Sequence, residues 1–238
     1  MTHPHASELR DLFAAAKCVL FDFDGPICRL FEGHPAPAVA AELRSWIARH
    51  FHEAAPVAED SPDDPHAILS AIGHRHAGSE LVGELEELLT SEELRASATA
   101  RPTKDADRLI RRLSAAGFRL AMTTNNSPIA VARYLEREGL MEFFGEHVHG
   151  RMPDPRLLKP DPDCLRRALR TTGSTAGESL MIGDSVTDYR AAQELEVPFL
   201  GYAPSEAKRR RLEGAGVLDI VPSLEPLLEA VEPGLRVD

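Results

Sequence analysis

Beyond residue 100 the chain switches repeatedly between short apolar runs and stretches with helical periodicity. "TKDADRLIRRLSAAG" reads as a helix with Thr103 as N-cap and Gly117 beyond its end, and "FRLAMTT" as a buried strand. "SPIAVARYLEREG" reads as a helix with Ser127 as cap, Pro128 at its first position and Gly139 at its close. An apolar piece at "HVHG", a helix "DPDCLRRALRTTG", a strand "SLMIGD", a helix "SVTDYRAAQEL" and a strand "PFLGY" follow. Strands buried on both faces look like these short continuous runs. The alternation therefore calls for an α/β fold, a doubly wound parallel sheet with helices on both sides.

"KCVLFDFDG" near the N-terminus supplies one more strand, but about seventy residues of other character separate it from its sheet. "APAVAAELRSWIARHFHEA", "DPHAILSAIGH", "SELVGELEELL" and "SEELRASA" all run at helical period around a Pro- and Asp-rich loop, "PVAEDSPDDP". Residues 1–30 and 101–238 are thus expected to form the sheet-bearing core, and 31–100 a small all-helical cap domain.

Ligands of open parallel sheets gather outside the carboxyl ends of the strands. Those ends read Asp22-Phe23-Asp24-Gly25, Thr123-Thr124-Asn125-Asn126 and Gly183-Asp184-Ser185. Residues two apart on a strand share a side, which puts Asp22 and Asp24 together, with Asp184 arriving from another strand. Adjacent buried carboxylates repel, and an oxygen-seeking divalent cation, Mg²⁺, offsets them. Lys159 in "LLKPDP" is the cation expected at the same rim. Plainer roles stand beside these. "DFDG" also reads as a turn, Thr124 as a β-branched strand end, Asp161 as the cap of the next helix, and Asp188 as half of a capping pair with Ser185.

The motifs in this order resemble those of the haloacid dehalogenase-like (HAD) superfamily. "DFDGP", "AMTTNN", "LKPDP" and "IGDSVTD" correspond to its four motifs, and the helical insertion is similar to the cap many members carry after the first. The resemblance implies a Rossmann-like core and a phosphatase acting through an aspartyl phosphate. Asp22 would be the nucleophile and Asp24 the acid and base. Thr124 and Asn125 would contact the phosphate together with Lys159, with Thr123 as the other registration of the threonine. Asp22, Asp24 and Asp184 would hold Mg²⁺, with Gly183 and Asp188 supporting. Pro26 departs from the Thr or Val usual in the family and removes a backbone donor there. A sugar-phosphate mutase uses the same carboxylates and remains an alternative, as does a phosphate-binding module without turnover. A 2-haloacid dehalogenase needs no second aspartate, so Asp24 argues against it.

The expected partner is a small phosphorylated metabolite. A net charge of -11 opposes nucleic acid, and the basic "KRRR" at 208–211 reads as the solvated side of a helix. No apolar run spans a bilayer, and "MTHPHASELRDLFAAAK" lacks the layout of a signal peptide, so a soluble cytoplasmic protein is expected. Cys18, Cys28 and Cys164 sit at no metal-ligand spacing and read as core residues of a reducing compartment. Arg44, Arg49, His50, His52, His74, Arg75 and His76 are the candidate substrate contacts from the insertion, with "GHRH" in an inter-helix loop and Arg29 near the entrance.

Overall fold

The structure, a computed structural model, describes residues 4–231. Strand β1 (Cys18–Phe21) follows a first helix, α1 (Ala6–Ala15), and a short strand β2 (Cys28–Arg29) leads into the insertion. Helices α2 (Ala36–His50), α3 (Ala55–Glu59), α4 (Pro65–Arg75) and α5 (Glu80–Thr99) make up the insertion. Strand β3 (Arg101–Pro102) closes it by pairing antiparallel with β2. The alternating part comprises α6 (Ala106–Ala115), β4 (Arg119–Thr123), α7 (Pro128–Arg137), α8 (Met141–Phe144), β5 (Val148–His149), α9 (Asp163–Thr172), β6 (Ser179–Gly183), α10 (Val186–Glu194), β7 (Phe199–Tyr202), α11 (Glu206–Ala215), β8 (Ile220–Val221) and α12 (Glu225–Ala230).

Six strands form one parallel sheet in the order β5-β4-β1-β6-β7-β8. The fold is therefore the α/β class read from the alternation. Successive residues of β1 face opposite sides of the sheet. Val19 and Phe21 join a core with Leu9 and Phe13 of α1, Leu109 and Leu113 of α6, and Leu227 of α12. Cys18 and Leu20 join the other, with Leu165 of α9 and Ala191 of α10. Burying both faces accounts for four consecutive apolar residues in this strand. All three cysteines are buried within the described residues.

The insertion has its own core. Val39, Leu43 and Ile47 of α2 fall at spacings of four and meet Ile68 and Ile72 of α4 and Leu81, Leu85 and Leu89 of α5. Sequence periodicity broke α5 in two, whereas it runs unbroken for 20 residues. The same periodicity predicts a loop where α3 forms and places "GHRH" outside α4, whereas the helix continues through Arg75. Helix α6 starts at Ala106, later than expected, with Asp105 as its N-cap in the left-handed region at φ 68°. Thr103 does not cap it through its side chain, because the hydroxyl donates to Gly25 O at 2.6 Å. No described helix is long and apolar enough to cross a membrane.

Candidate active site

Strand β1 lies between β4 and β6, where the connections leave for opposite sides of the sheet. This is the crevice in which doubly wound proteins bind ligands. Carboxylate oxygens of Asp22, Asp184 and Asp188 lie within 4.8 Å of one another there, and all three residues are buried. Lys159 enters from the loop before α9. Its Nζ donates to Asp22 Oδ1 at 2.8 Å, to Thr123 O at 2.9 Å and to Asp188 Oδ1 at 2.5 Å. Asp188 Oδ2 accepts from the Asp184 N–H, the Ser185 N–H and the Ser185 hydroxyl at 3.2, 3.0 and 2.7 Å. The Ser185 oxygen takes the Asp188 N–H in return, so the two form the capping pair that begins α10. Asp188 thus fixes both the Asp184 turn and Lys159. A side chain at Gly183 would put its Cβ 2.7 Å from that of Asp188, so only glycine leaves room for the Asp188 side chain here.

The electrostatics follow from burying like charges together. Burial first and Asp188 second push the Asp22 carboxyl up to about 6, with Lys159 pulling it back. Burial likewise raises Asp24 above the usual carboxylate range, although its Oδ1 accepts from the Leu30 N–H at 2.8 Å. Lys159 would lose its proton more readily through burial alone, but Asp188 and Asp22 outweigh that and hold it charged. The third carboxylate gathered with Asp22 and Asp184 is Asp188. Asp24 lines the same cavity and the neighbouring one beyond it.

Strand β4 delivers two threonines with different duties. Thr123 turns into the sheet and donates to Phe21 O at 3.3 Å, whereas Thr124 lines the cavity. Thr124 Oγ1 accepts from the Asn126 N–H at 3.2 Å and from Asn126 Nδ2 at 2.9 Å, which leaves its own proton for a ligand oxygen. Asn125 also lines the cavity, but its side chain is spent on Lys159. Its Oδ1 accepts from the Lys159 N–H at 2.8 Å and its Nδ2 donates to Lys159 O at 3.2 Å. Asp161 accepts from the Asp163 N–H at 2.9 Å, at the start of α9.

The roof of this cavity, which encloses about 330 Å³, comes from the start of α4: Asp64, His66, Ala67 and Ser70. The basic and histidine residues singled out in the insertion lie elsewhere. Arg44 binds the Ala58, Ser61 and Pro62 carbonyls and Asp63, and Arg49 pairs with Glu42. His50, His52 and His76 line a separate cavity, and the His74 ring contacts Ser70 O. Arg75 closes α4, the end of the helix opposite the roof. Arg29 lines the cavity beyond Asp24.

Lys208 departs from the solvated face expected for "KRRR". It pairs with Asp184 and faces the same second cavity, while Arg209 and Arg210 pair with Glu213 and Glu206 on their own helix. Nothing in a basic cluster tells which member turns inward.

Three buried carboxylates, one buried lysine and a free hydroxyl proton are thus gathered at the switch point of a parallel α/β sheet, the place where folds of this class bind ligands. Residues 16–195 match the sequence model of the haloacid dehalogenase-like hydrolases, and the chain belongs to that family. It is 31% identical over 118 residues to phosphoglycolate phosphatase of Agrobacterium fabrum, covering 49% of this chain and 50% of that one. It is 29% identical over 184 residues to phosphoglycolate phosphatase of Neisseria gonorrhoeae, covering 74% and 75%. The chain spans about half the length, or less, of several curated relatives it matches. CbbY from Rhodobacter sphaeroides, solved in complex with phosphate, shares the fold at a TM-score of 0.64 and 20% identity, covering 87% of this chain and 94% of that one.

Proposed function

We propose that the chain is a magnesium-dependent phosphatase that hydrolyses a small-molecule phosphate monoester through an aspartyl phosphate on Asp22. The observation that carries this reading is the pair of carboxylates, Asp22 buried and Asp24 half-buried, with separable duties. Asp22 sits within reach of Lys159, and Asp24 has its carboxyl raised by burial, as a proton donor requires.

The donor set fits the metal: it is all oxygen, buried, and its three carboxylates outnumber the two lysines, Lys159 and Lys208, that pair with them. Both oxygens of Asp188 are taken by Lys159 and the α10 turn, so Asp22 and Asp184 would hold the ion, with Asp24 as the third ligand expected from the motif. Bound there, Mg²⁺ would neutralise the carboxylates and polarise the phosphoryl group.

Asp22 would attack phosphorus as the ester P–O bond breaks, and Asp24 would protonate the departing alcohol. Asp24 would then take a proton from water, which hydrolyses the aspartyl phosphate and releases inorganic phosphate. Lys159 and the Thr124 hydroxyl would hold the phosphoryl oxygens as charge shifts among them. Residues 31–100 act in this reading as a cap domain on the core of 1–30 and 101–238, roofing the site with the start of α4. The phosphatase names of the relatives support the same conclusion.

Hydrolysis of p-nitrophenyl phosphate with and without Mg²⁺, using Asp22→Asn as control, tests the proposal. Magnesium-dependent turnover that Asp22→Asn abolishes is expected. Turnover that ignores both metal and Asp22 would refute it.

A further inference from the structure

The turn after β4, residues 124–127, is tied to the helical insertion by a buried ion pair. Arg151, two residues beyond β5, has five guanidinium N–H groups, and each has an acceptor. Nε donates to Glu86 Oε1 at 3.2 Å, and Nη2 to Thr90 Oγ1 and Glu93 Oε2 at 3.0 Å each. Nη1 donates to Glu93 Oε1 at 2.8 Å and to Asn125 O at 2.9 Å. Glu86, Thr90 and Glu93 lie four and three residues apart, on one face of α5. Four donors are thus committed to the insertion and one to the core. Glu93 reaches the same turn from its own side. Its Oε2 accepts the Ser127 N–H at 2.8 Å, and His66 Nε2 lies 2.9 Å from Oε1. Burial alone would raise this carboxyl, but Arg151 and His66 bring it below its ordinary value, so it is ionised.

Backbone contacts tighten the grip. The Arg151 N–H donates to Asn126 O at 2.9 Å, and a Cβ at Gly150 would stand 2.5 Å from that same oxygen, so glycine is what lets the chain leaving β5 come so near. The turn is therefore held at Asn125 O, Asn126 O and the Ser127 N–H. It holds the phosphoryl side of the site in its turn. Thr124 lines the cavity, and the Asn125 side chain closes two hydrogen bonds on the Lys159 backbone. Glu93 and Arg151 are not among the residues lining that cavity, so they reach a ligand only through the turn or through His66.

We propose that Glu93 and Arg151 are positioning residues for phosphoryl binding: an insertion carboxylate and a core guanidinium that together set the 124–127 turn and, through Asn125, the Lys159 backbone. The insertion then completes the phosphate pocket as well as roofing it. The inference rests on the phosphatase reading. Lys159 Nζ has partners of its own in Asp22, Asp188 and Thr123 O, so the pair governs affinity for the phosphoryl group and not the presence of the catalytic charge.

The test measures Ki for inorganic phosphate beside KM and kcat for p-nitrophenyl phosphate, with Mg²⁺, in Arg151→Lys and Glu93→Gln. Lysine keeps the charge next to Glu93 but brings three donors to five acceptors, and glutamine keeps the shape while putting an amide N–H₂ where an oxygen accepted. Each variant should raise Ki about tenfold and KM by the same factor, with a smaller change in kcat. Inorganic phosphate has no leaving group, so a role exercised only through His66 and the roof would raise KM and leave Ki unmoved. Leu43→Ala, in the insertion's own core, should lower Tm without changing Ki. A Ki within about twofold of the wild type in both variants, or one that Leu43→Ala raises equally, overturns the assignment while leaving phosphatase activity established. A wild type whose hydrolysis of p-nitrophenyl phosphate needs neither Mg²⁺ nor Asp22 would overturn the phosphatase reading and this inference with it.

Discussion

Removing the Arg151 guanidinium by Arg151→Met tests how the helical insertion is held to the sheet. Arg151 follows β5, and Glu93 sits on α5, so their pair joins two parts of the chain 58 residues apart in sequence. Both side chains are wholly inaccessible to solvent, so the variant strands an ionised carboxylate with only the Ser127 N–H and His66 as donors. Breaking one side of a buried ion pair costs about 3–5 kcal/mol. For a chain of this size that corresponds to a fall in Tm of roughly 6–20 °C. Glu93→Gln in the same background removes the stranded charge, so the double variant should recover about 2 kcal/mol relative to the sum of the single changes. Urea denaturation followed by circular dichroism, run on all three variants, measures this coupling. A single variant within 1 kcal/mol of the wild type, or strict additivity, would show that the pair does not hold the insertion in place.

Other expectations come from individual side chains. Asp22→Asn and Asp24→Asn should each lower turnover of p-nitrophenyl phosphate by several orders of magnitude with an unchanged circular dichroism spectrum, and unfolding would mark them as structural. Asp184→Asn should cost activity with little loss of Tm, whereas Asp188→Asn should lower both because it frees Lys159 and the α10 turn; thermal melts separate the two. Chelation should abolish hydrolysis and added Mg²⁺ restore it, as read by phosphate release. Burial pulls His149 down to about 4 from an ordinary 6.5, so between those values the unfolded chain binds more protons than the folded one. Stability should therefore fall as pH drops from 6.5 towards 4, and His149→Asn should flatten that slope; equal slopes in the two proteins would remove His149 as the cause.

The sheet and the floor of the site were legible because local chemistry writes them. An apolar run such as Cys18–Phe21 that stops at Asp22, or Ser179–Gly183 that stops at Asp184, marks a buried strand with a polar group at its carboxyl end. The roof was not legible. Whether Asp64 and His66 or the histidines at the far end of α4 meet the site depends on how α4 docks, a matter of contacts distant in sequence. Glu93 and Arg151 read alone as ordinary charged residues of a helix and a loop, and each makes sense only beside the other. Lys208 was hidden by its neighbours: four consecutive basic residues carry no signal of direction. Thr103 was misread because a threonine before a helix is so often a cap, and here its hydroxyl is claimed by the Gly25 carbonyl.

The pairing of Cys28 with Pro102 and of Arg29 with Arg101 brings the departure and the return of the helical insertion side by side. The sheet consequently registers the whole excursion as no more than a hairpin, whatever lies at its far end. Such a socket lets the excursion change in length or composition without disturbing the strand ends that carry Asp22 and Asp184.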